Sequence, residues 1–106
     1  MAMASTRTPA DVVFKGHTGD YRANSHKTKP NDTHVCFRNM TGSPVRVWFP
    51  GNFLLGSPLT LDDSTETRCL EINPEAASGT YTYAAQVTAT GEFIKGNSPP
   101  EVIIDR

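Results

Sequence analysis

Val35-Cys36-Phe37-Arg38-Asn39-Met40-Thr41-Gly42-Ser43-Pro44-Val45-Arg46-Val47-Trp48-Phe49 is the stretch whose periodicity decides the fold. Val35 and Phe37 fall on one side of a two-residue repeat, and His34, Cys36 and Arg38 fall on the other. Thr41-Gly42-Ser43-Pro44 interrupts the repeat with turn residues. Val45, Val47 and Phe49 then resume it, with Arg46 and Trp48 opposite. Side chains alternate across a strand, so the pattern reads as two half-buried strands joined by a turn. No 11-residue window of the chain carries an i, i+3, i+4, i+7 apolar stripe, and the best helical candidate, Pro74–Ser78, is one turn long.

The same signals recur on both sides. Upstream, Val12–Lys15 is a short first strand ended by Gly16 and Gly19. The polar run from Thr18 to Pro30 leaves room for an irregular edge strand near Tyr21–Ala23, and Pro30-Asn31-Asp32 turns the chain. Downstream, Leu59–Leu61 and Thr67–Ile72 flank the acidic turn Asp62-Asp63-Ser64, with Leu70 and Ile72 inward and Cys69 and Glu71 outward. After Gly79, the residues Tyr81, Tyr83, Ala85 and Val87 form the inward set of the longest strand, and Glu101–Asp105 closes the chain. Thirteen threonines and eight each of glycine and proline fit strands joined by tight turns. Seven or eight short strands with turn signals every 8–12 residues predict an all-β, antiparallel Greek-key sandwich. Its expected core is Phe14, Val35, Phe37, Val45, Val47, Phe49, Leu70, Ile72, Tyr81, Tyr83, Val102 and Ile104.

A chain of 106 residues is the size of one domain. Residues 1–10 are expected to be poorly ordered and residues 11–106 to fold as that domain. With 37% hydrophobic and 20% charged residues the composition is globular, and no apolar run approaches the 18 residues of a membrane span. A net charge of −1 argues against a dedicated nucleic-acid binder. That balance hides an asymmetry: residues 1–55 sum to +4 and residues 56–106 to −5. Interleaved strands would neutralise it on a mixed surface. Met1–Pro9 lacks the apolar core of a signal peptide, so the chain is cytoplasmic if this N-terminus is native and exported if a leader was removed.

Two segments carry a family resemblance. Val35–Phe49 resembles the pattern F-x-N-x-x-G-x-P-H-x-V-x-F of cupredoxins, the plastocyanin-type blue copper proteins. Gly79-Thr80-Tyr81-Thr82-Tyr83-Ala84-Ala85 resembles that family's G-x-Y-x-F-x-C approach to the copper loop. The Leu70–Ile72 strand and the Lys29–Asp32 turn also fall where the family has a strand and a turn, so the likeness spans roughly residues 11–106. It implies a cupredoxin-like sandwich. The departures fall on the ligands. Val45 stands where the family places its first copper histidine, and Ala85 where it places the cysteine. A type 1 site takes two imidazoles and a thiolate, with a weak axial methionine. Those ligands come in the order His, Cys, His, Met, yet no histidine follows His34 and no methionine follows Met40. No type 1 copper site and no other cofactor is expected.

In the topology that the resemblance implies, the strands holding Cys36 and Cys69 are neighbours. The pair is a disulfide if the register agrees and two free thiols if it does not; a bridge needs Cα atoms within about 7 Å. It would close a loop of about 34 residues, contributing on the order of 3–4 kcal/mol. His17, His26 and His34 with Cys36 are the only soft-ligand group, at a spacing that matches no zinc pattern. Asp62, Asp63 and Glu66 read as a solvated hairpin tip rather than a Ca²⁺ loop. Asn31-Asp32-Thr33 and Asn39-Met40-Thr41 match glycosylation acceptors. Trp48 faces away from the core, as an aromatic platform or as a ring covered by the N-terminal segment or residues 18–30. No nucleophile elbow, metalloprotease helix or phosphate loop is present. The leading expectation is a non-enzymatic, metal-free domain acting through binding or assembly, on a protein partner or a second copy. The alternative is a metal-handling protein with a surface His/Cys site.

Overall fold

The computed structural model describes residues 10–62, 67–95 and 100–106; the N-terminal segment that was expected to be poorly ordered lies, but for its last residue, outside them. The two strands of the deciding stretch are β4 (His34–Asn39) and β5 (Val45–Trp48). Val35, Phe37, Val45 and Val47 are fully buried, as their alternation requires. Around them run β1 (Val12–His17), β2 (Asp20–Ala23), β3 (His26–Lys27), β6 (Leu59–Leu61), β7 (Thr67–Glu71), β8 (Gly79–Thr82), β9 (Ala84–Val87) and β10 (Glu101–Ile104). Among the described residues a 3₁₀ turn, Pro50–Asn52, is the only helical element. The chain is all-β, with sheets in the order β2-β1-β4-β7, β3-β10-β8 and β6-β5-β9.

Several expectations change. Pairing is mixed rather than wholly antiparallel: β1 and β4 run parallel, as do β3 and β10. Parallel neighbours need a connection of a dozen residues or more, and residues 18–33 supply one between β1 and β4. That connection holds β2, which turns back along β1, and β3, which leaves for another sheet. β6 and β7 are not a hairpin either. They pair with β5 and β4 respectively, so the acidic stretch after Leu61 joins two sheets, and Asp63–Glu66 lie outside the described residues. The long strand after Gly79 divides at Tyr83 into β8 and β9, each with its own partners. Gly16 does not end the first strand. It sits inside β1 at φ +115°, where a Cβ would be driven into the Asp20 carbonyl across the Thr18-Gly19 turn.

Of the outer strands of the four-stranded sheet, β2 is covered along its length and β7 only at its end. Along β2, Lys95 donates its N–H to the Tyr21 carbonyl at 3.0 Å and accepts from Ala23 at 2.7 Å. A residue earlier, Ile94 donates to Ala85 of β9 at 2.7 Å, and Val87 donates to Glu92 at 2.8 Å. The segment Glu92–Lys95 therefore stitches one sheet to another. At the far side, Leu55 donates to Glu71 and Asn73 donates to Phe53, both at 2.9 Å, where β7 ends. Covering edges in this way removes free ladders that would otherwise recruit other chains.

The core draws on all three sheets. Of the expected core residues, ten are buried, while Leu70 and Tyr81 are half-buried against it. The alternation did not single out Val12, Tyr21, Phe53, Leu54, Leu59, Leu61 and Ile94, which are also buried. Phe37 stands 6.0 Å from Phe14, 5.4 Å from Phe49 and 6.1 Å from Tyr83, ring centre to ring centre. Tyr83 is 2% exposed, and its hydroxyl has no hydrogen-bond partner among the described residues. Burial holds its pKa well above the ordinary 10.0.

An unsatisfied buried hydroxyl costs about 1–3 kcal/mol. Tyr83→Phe removes it without opening a cavity, so stability should rise by about 1 kcal/mol and Tm by roughly 4–8 °C. In the wild type this phenol ionises more readily unfolded than folded, so its contribution is intact below about pH 10 and lost as pH rises past that value. The variant should therefore lose stability less steeply in alkali. Denaturant melts from pH 8 to pH 11 check both, and a lower Tm for Tyr83→Phe would refute the account of this group.

Candidate functional site

Register places the two cysteines. β4 and β7 pair Val35 with Leu70, Cys36 with Cys69 and Arg38 with Thr67. Since Val35 faces the core, Cys36 and Cys69 share the outer face. The Cys36 N–H donates to the Asp11 carboxylate at 2.8 Å, and its carbonyl accepts from the Asp11 N–H at 2.8 Å. Both backbone groups thus point toward β1. That makes Cys36 and Cys69 a non-hydrogen-bonded pair, in which side chains approach closest. Their Cα atoms are 3.9 Å apart and the sulfurs form a disulfide. Cys36 is 9% exposed, whereas Cys69 stands open on the outermost strand.

The histidines are spread apart. His34 Nδ1 lies 2.8 Å from the Thr33 hydroxyl, and His17 Nδ1 lies 3.1 Å from the Thr18 carbonyl. His26 Nε2 is 3.7 Å from Asp11 Oδ1. Among the described residues no group of three or more His, Cys, Asp or Glu side chains comes close enough to hold a metal ion. Cys36 shares its sulfur with Cys69, so the oxidised protein has no thiolate there to donate. Trp48 is half-buried, and the Arg46 guanidinium lies 5.5 Å over its ring; the N-terminal segment that the sequence offered as a cover lies outside the described residues. The chain's own cation thus occupies one face of the ring.

Val45 and Ala85 come together. β5 and β9 pair Val45 with Val87 and Val47 with Ala85, so Val45 and Ala85 are diagonal neighbours on adjacent strands. Such positions lie about 7–8 Å apart. Both are fully buried, with Val87 and Leu61 on either side of Val45. No lone pair faces another in this set.

Asn39 is the residue whose role the sequence concealed. As a glycosylation acceptor it would need exposure, but it is 2% exposed, and only Asn31 of the two candidates stands in solvent. Asn39 Nδ2 donates to the carbonyls of Ser43 at 2.7 Å, Leu61 at 3.2 Å and Asp62 at 3.1 Å. Its Oδ1 accepts from the Thr41 N–H at 3.0 Å and the Thr41 hydroxyl at 2.7 Å. One amide thereby shapes the turn from β4 to β5, in which Gly42 takes φ +83°, and ties it to the end of β6.

A cleft of about 390 Å³, lined by Gly19, Tyr21, Gly91, Glu92, Phe93 and Lys95, was also missed. The Glu92 carboxylate accepts the Gly19 N–H at 2.8 and 3.2 Å, leaving the 58% exposed Phe93 as the cleft's free apolar surface. The alternation of Phe93 and Ile94 after Gly91 was the available signal, but it is too short to read as a strand.

Asn39→Ala takes the amide donor from the carbonyls of Leu61 and Asp62, while that of Ser43 keeps the Thr41 hydroxyl at 2.9 Å, and should cost roughly 2–4 kcal/mol. Asn39→Asp keeps the shape but turns a carboxylate oxygen toward those carbonyls, and should cost at least as much at neutral pH. Urea melts measure both, and a near-neutral Asn39→Asp would overturn this assignment. Outside analogy adds nothing to these residues: the chain matches no family model and no characterised protein.

Proposed function

We propose that the chain is a cupredoxin-like β-sandwich that has no type 1 copper site and acts through binding or assembly rather than catalysis. The observation that carries this reading is the pair Val45 and Ala85, buried as diagonal neighbours on adjacent strands at the positions that the resemblance aligns with the family's histidine and cysteine. A valine and an alanine present no donor atom, and packing around them leaves the locus apolar. Support for the scaffold comes from β4 and β7 lying side by side, as the resemblance implies for the cysteine strands. A single core fed by all three sheets supports the sandwich, and pairing between strands distant in sequence, β1 with β4 and β3 with β10, is compatible with a Greek-key path. Among the described residues no helix is long and apolar enough to cross a membrane.

Metal analysis of tag-free protein, followed by copper titration with visible absorbance, tests the proposal. The expected result is no stoichiometric copper and no intense blue band. Stoichiometric copper with that band would overturn the reading, and stoichiometric zinc or copper without it would favour a surface His site instead. The double variant Val45→His, Ala85→Cys should still bind copper poorly, because no imidazole follows Ala85. A blue protein from that variant would overturn the ligand-order argument.

A further inference from the structure

We infer that Cys36–Cys69 is a thiol–disulfide exchange site, reduced by a dithiol that enters at Cys69. Solvent-exposed disulfides are the ones most open to exchange. This one lies on an outer face, and one of its sulfurs belongs to the outermost strand of its sheet. The covering segment beside β7 reaches Glu71 and Asn73 and leaves the edge next to Cys69 open among the described residues.

Exchange requires the attacking thiolate to approach in line with the S–S bond, from behind the sulfur it attacks. Cys36 is only 9% exposed, and the Asp11 carboxylate sits on its N–H at 2.8 Å. That charge repels an incoming thiolate. Cys69 is exposed on the outermost strand of the sheet. Access and charge therefore select the same sulfur. Arg38, two residues along β4 on the same face, adds a cation near the sulfurs, with its Nε buried and unpartnered among the described residues. A nearby cation favours thiolate over thiol.

The chemistry balances without any other group. The dithiol's first sulfur bonds to Cys69 Sγ, the Cys36–Cys69 bond breaks, and its electron pair leaves on Cys36, which takes a proton from water. The dithiol's second thiolate then attacks its own sulfur in the mixed disulfide and releases Cys69, which is protonated in turn. Two electrons and two protons pass to the protein, and the dithiol becomes a cyclic disulfide. Val35 against Leu70 and the buried Phe37 hold β4 to β7 in either state, so the strands need not part.

The wild-type protein serves as the test. Dithiothreitol in native buffer should release two thiols per chain with the far-ultraviolet circular dichroism unchanged. Glutathione, quenched with iodoacetamide and mapped by peptide mass, should be found on Cys69, with the alkyl group on Cys36, by roughly tenfold over the reverse arrangement. Asp11→Asn keeps an acceptor for the Cys36 N–H but removes the charge, and should shift part of the glutathione to Cys36. Thiols that appear only in denaturant, or glutathione mainly on Cys36 in the wild type, would overturn the site. An Asp11→Asn distribution equal to wild type would overturn the part given to that carboxylate.

Discussion

Phe37 against Phe14, Phe49 and Tyr83 is the contact on which the rest of the structure depends. Phe14 and Phe37 come from the four-stranded sheet, Phe49 follows β5, and Tyr83 links β8 to β9, so this one group of rings joins all three sheets. Phe53 extends it, stacking on Tyr81 at 4.7 Å and meeting Phe49 edge-on at 5.6 Å. Aromatic pairs add directional preference to their burial. Once Phe37 points inward, the strand repeat sends Cys36 outward, and a slip of one residue would reverse every side chain of β4. The disulfide, the Asp11 contact and the exposure of Cys69 all follow from that choice of face.

The second constraint is closure at the edges. Glu92–Lys95 carries backbone hydrogen bonds from β2 of one sheet to β9 of another, and Phe53 and Leu55 bond to Asn73 and Glu71 where β7 ends. They do for the sides of the molecule what the rings do for its centre. The arrangement also resolves the charge asymmetry of the chain. Each sheet contains strands from both halves of the sequence: β7 joins β1, β2 and β4, while β3 joins β8 and β10, and β5 joins β6 and β9. Basic and acidic residues are thereby intermixed. Where opposite charges meet in the open, as at Arg22 and Asp20 (2.8 Å), the guanidinium holds the Asp20 carboxyl below its ordinary range. Both groups are solvated, and such pairs add little stability.

Buried polar groups separate two outcomes of the same packing. Asn39 has a partner for each of its amide functions and organises a turn between sheets. The Tyr83 hydroxyl has none among the described residues and only burdens the core. Both groups sit at positions where a strand ends and the chain changes sheet, where backbone ladders stop and side chains must complete the hydrogen bonding.

Strand faces were legible in the sequence because they depend on a local period: Val35 and Phe37, and Val45, Val47 and Phe49, declare their sides within a few residues. The all-β class and the outward cysteines were readable for the same reason. Pairing was not. Nothing local tells β4 that it will run parallel to β1, since that follows from where residues 18–33 pack. Nor does the polar character of Asn39 reveal that three carbonyls from two segments converge on it, or the brevity of Glu92–Lys95 that it bridges two sheets. The meeting of Cys36 with Cys69 lies between these limits. Alternation sets each cysteine on its face, but only the long-range register of β4 and β7 brings their sulfurs together, because register is fixed by the whole buried surface rather than by either strand alone.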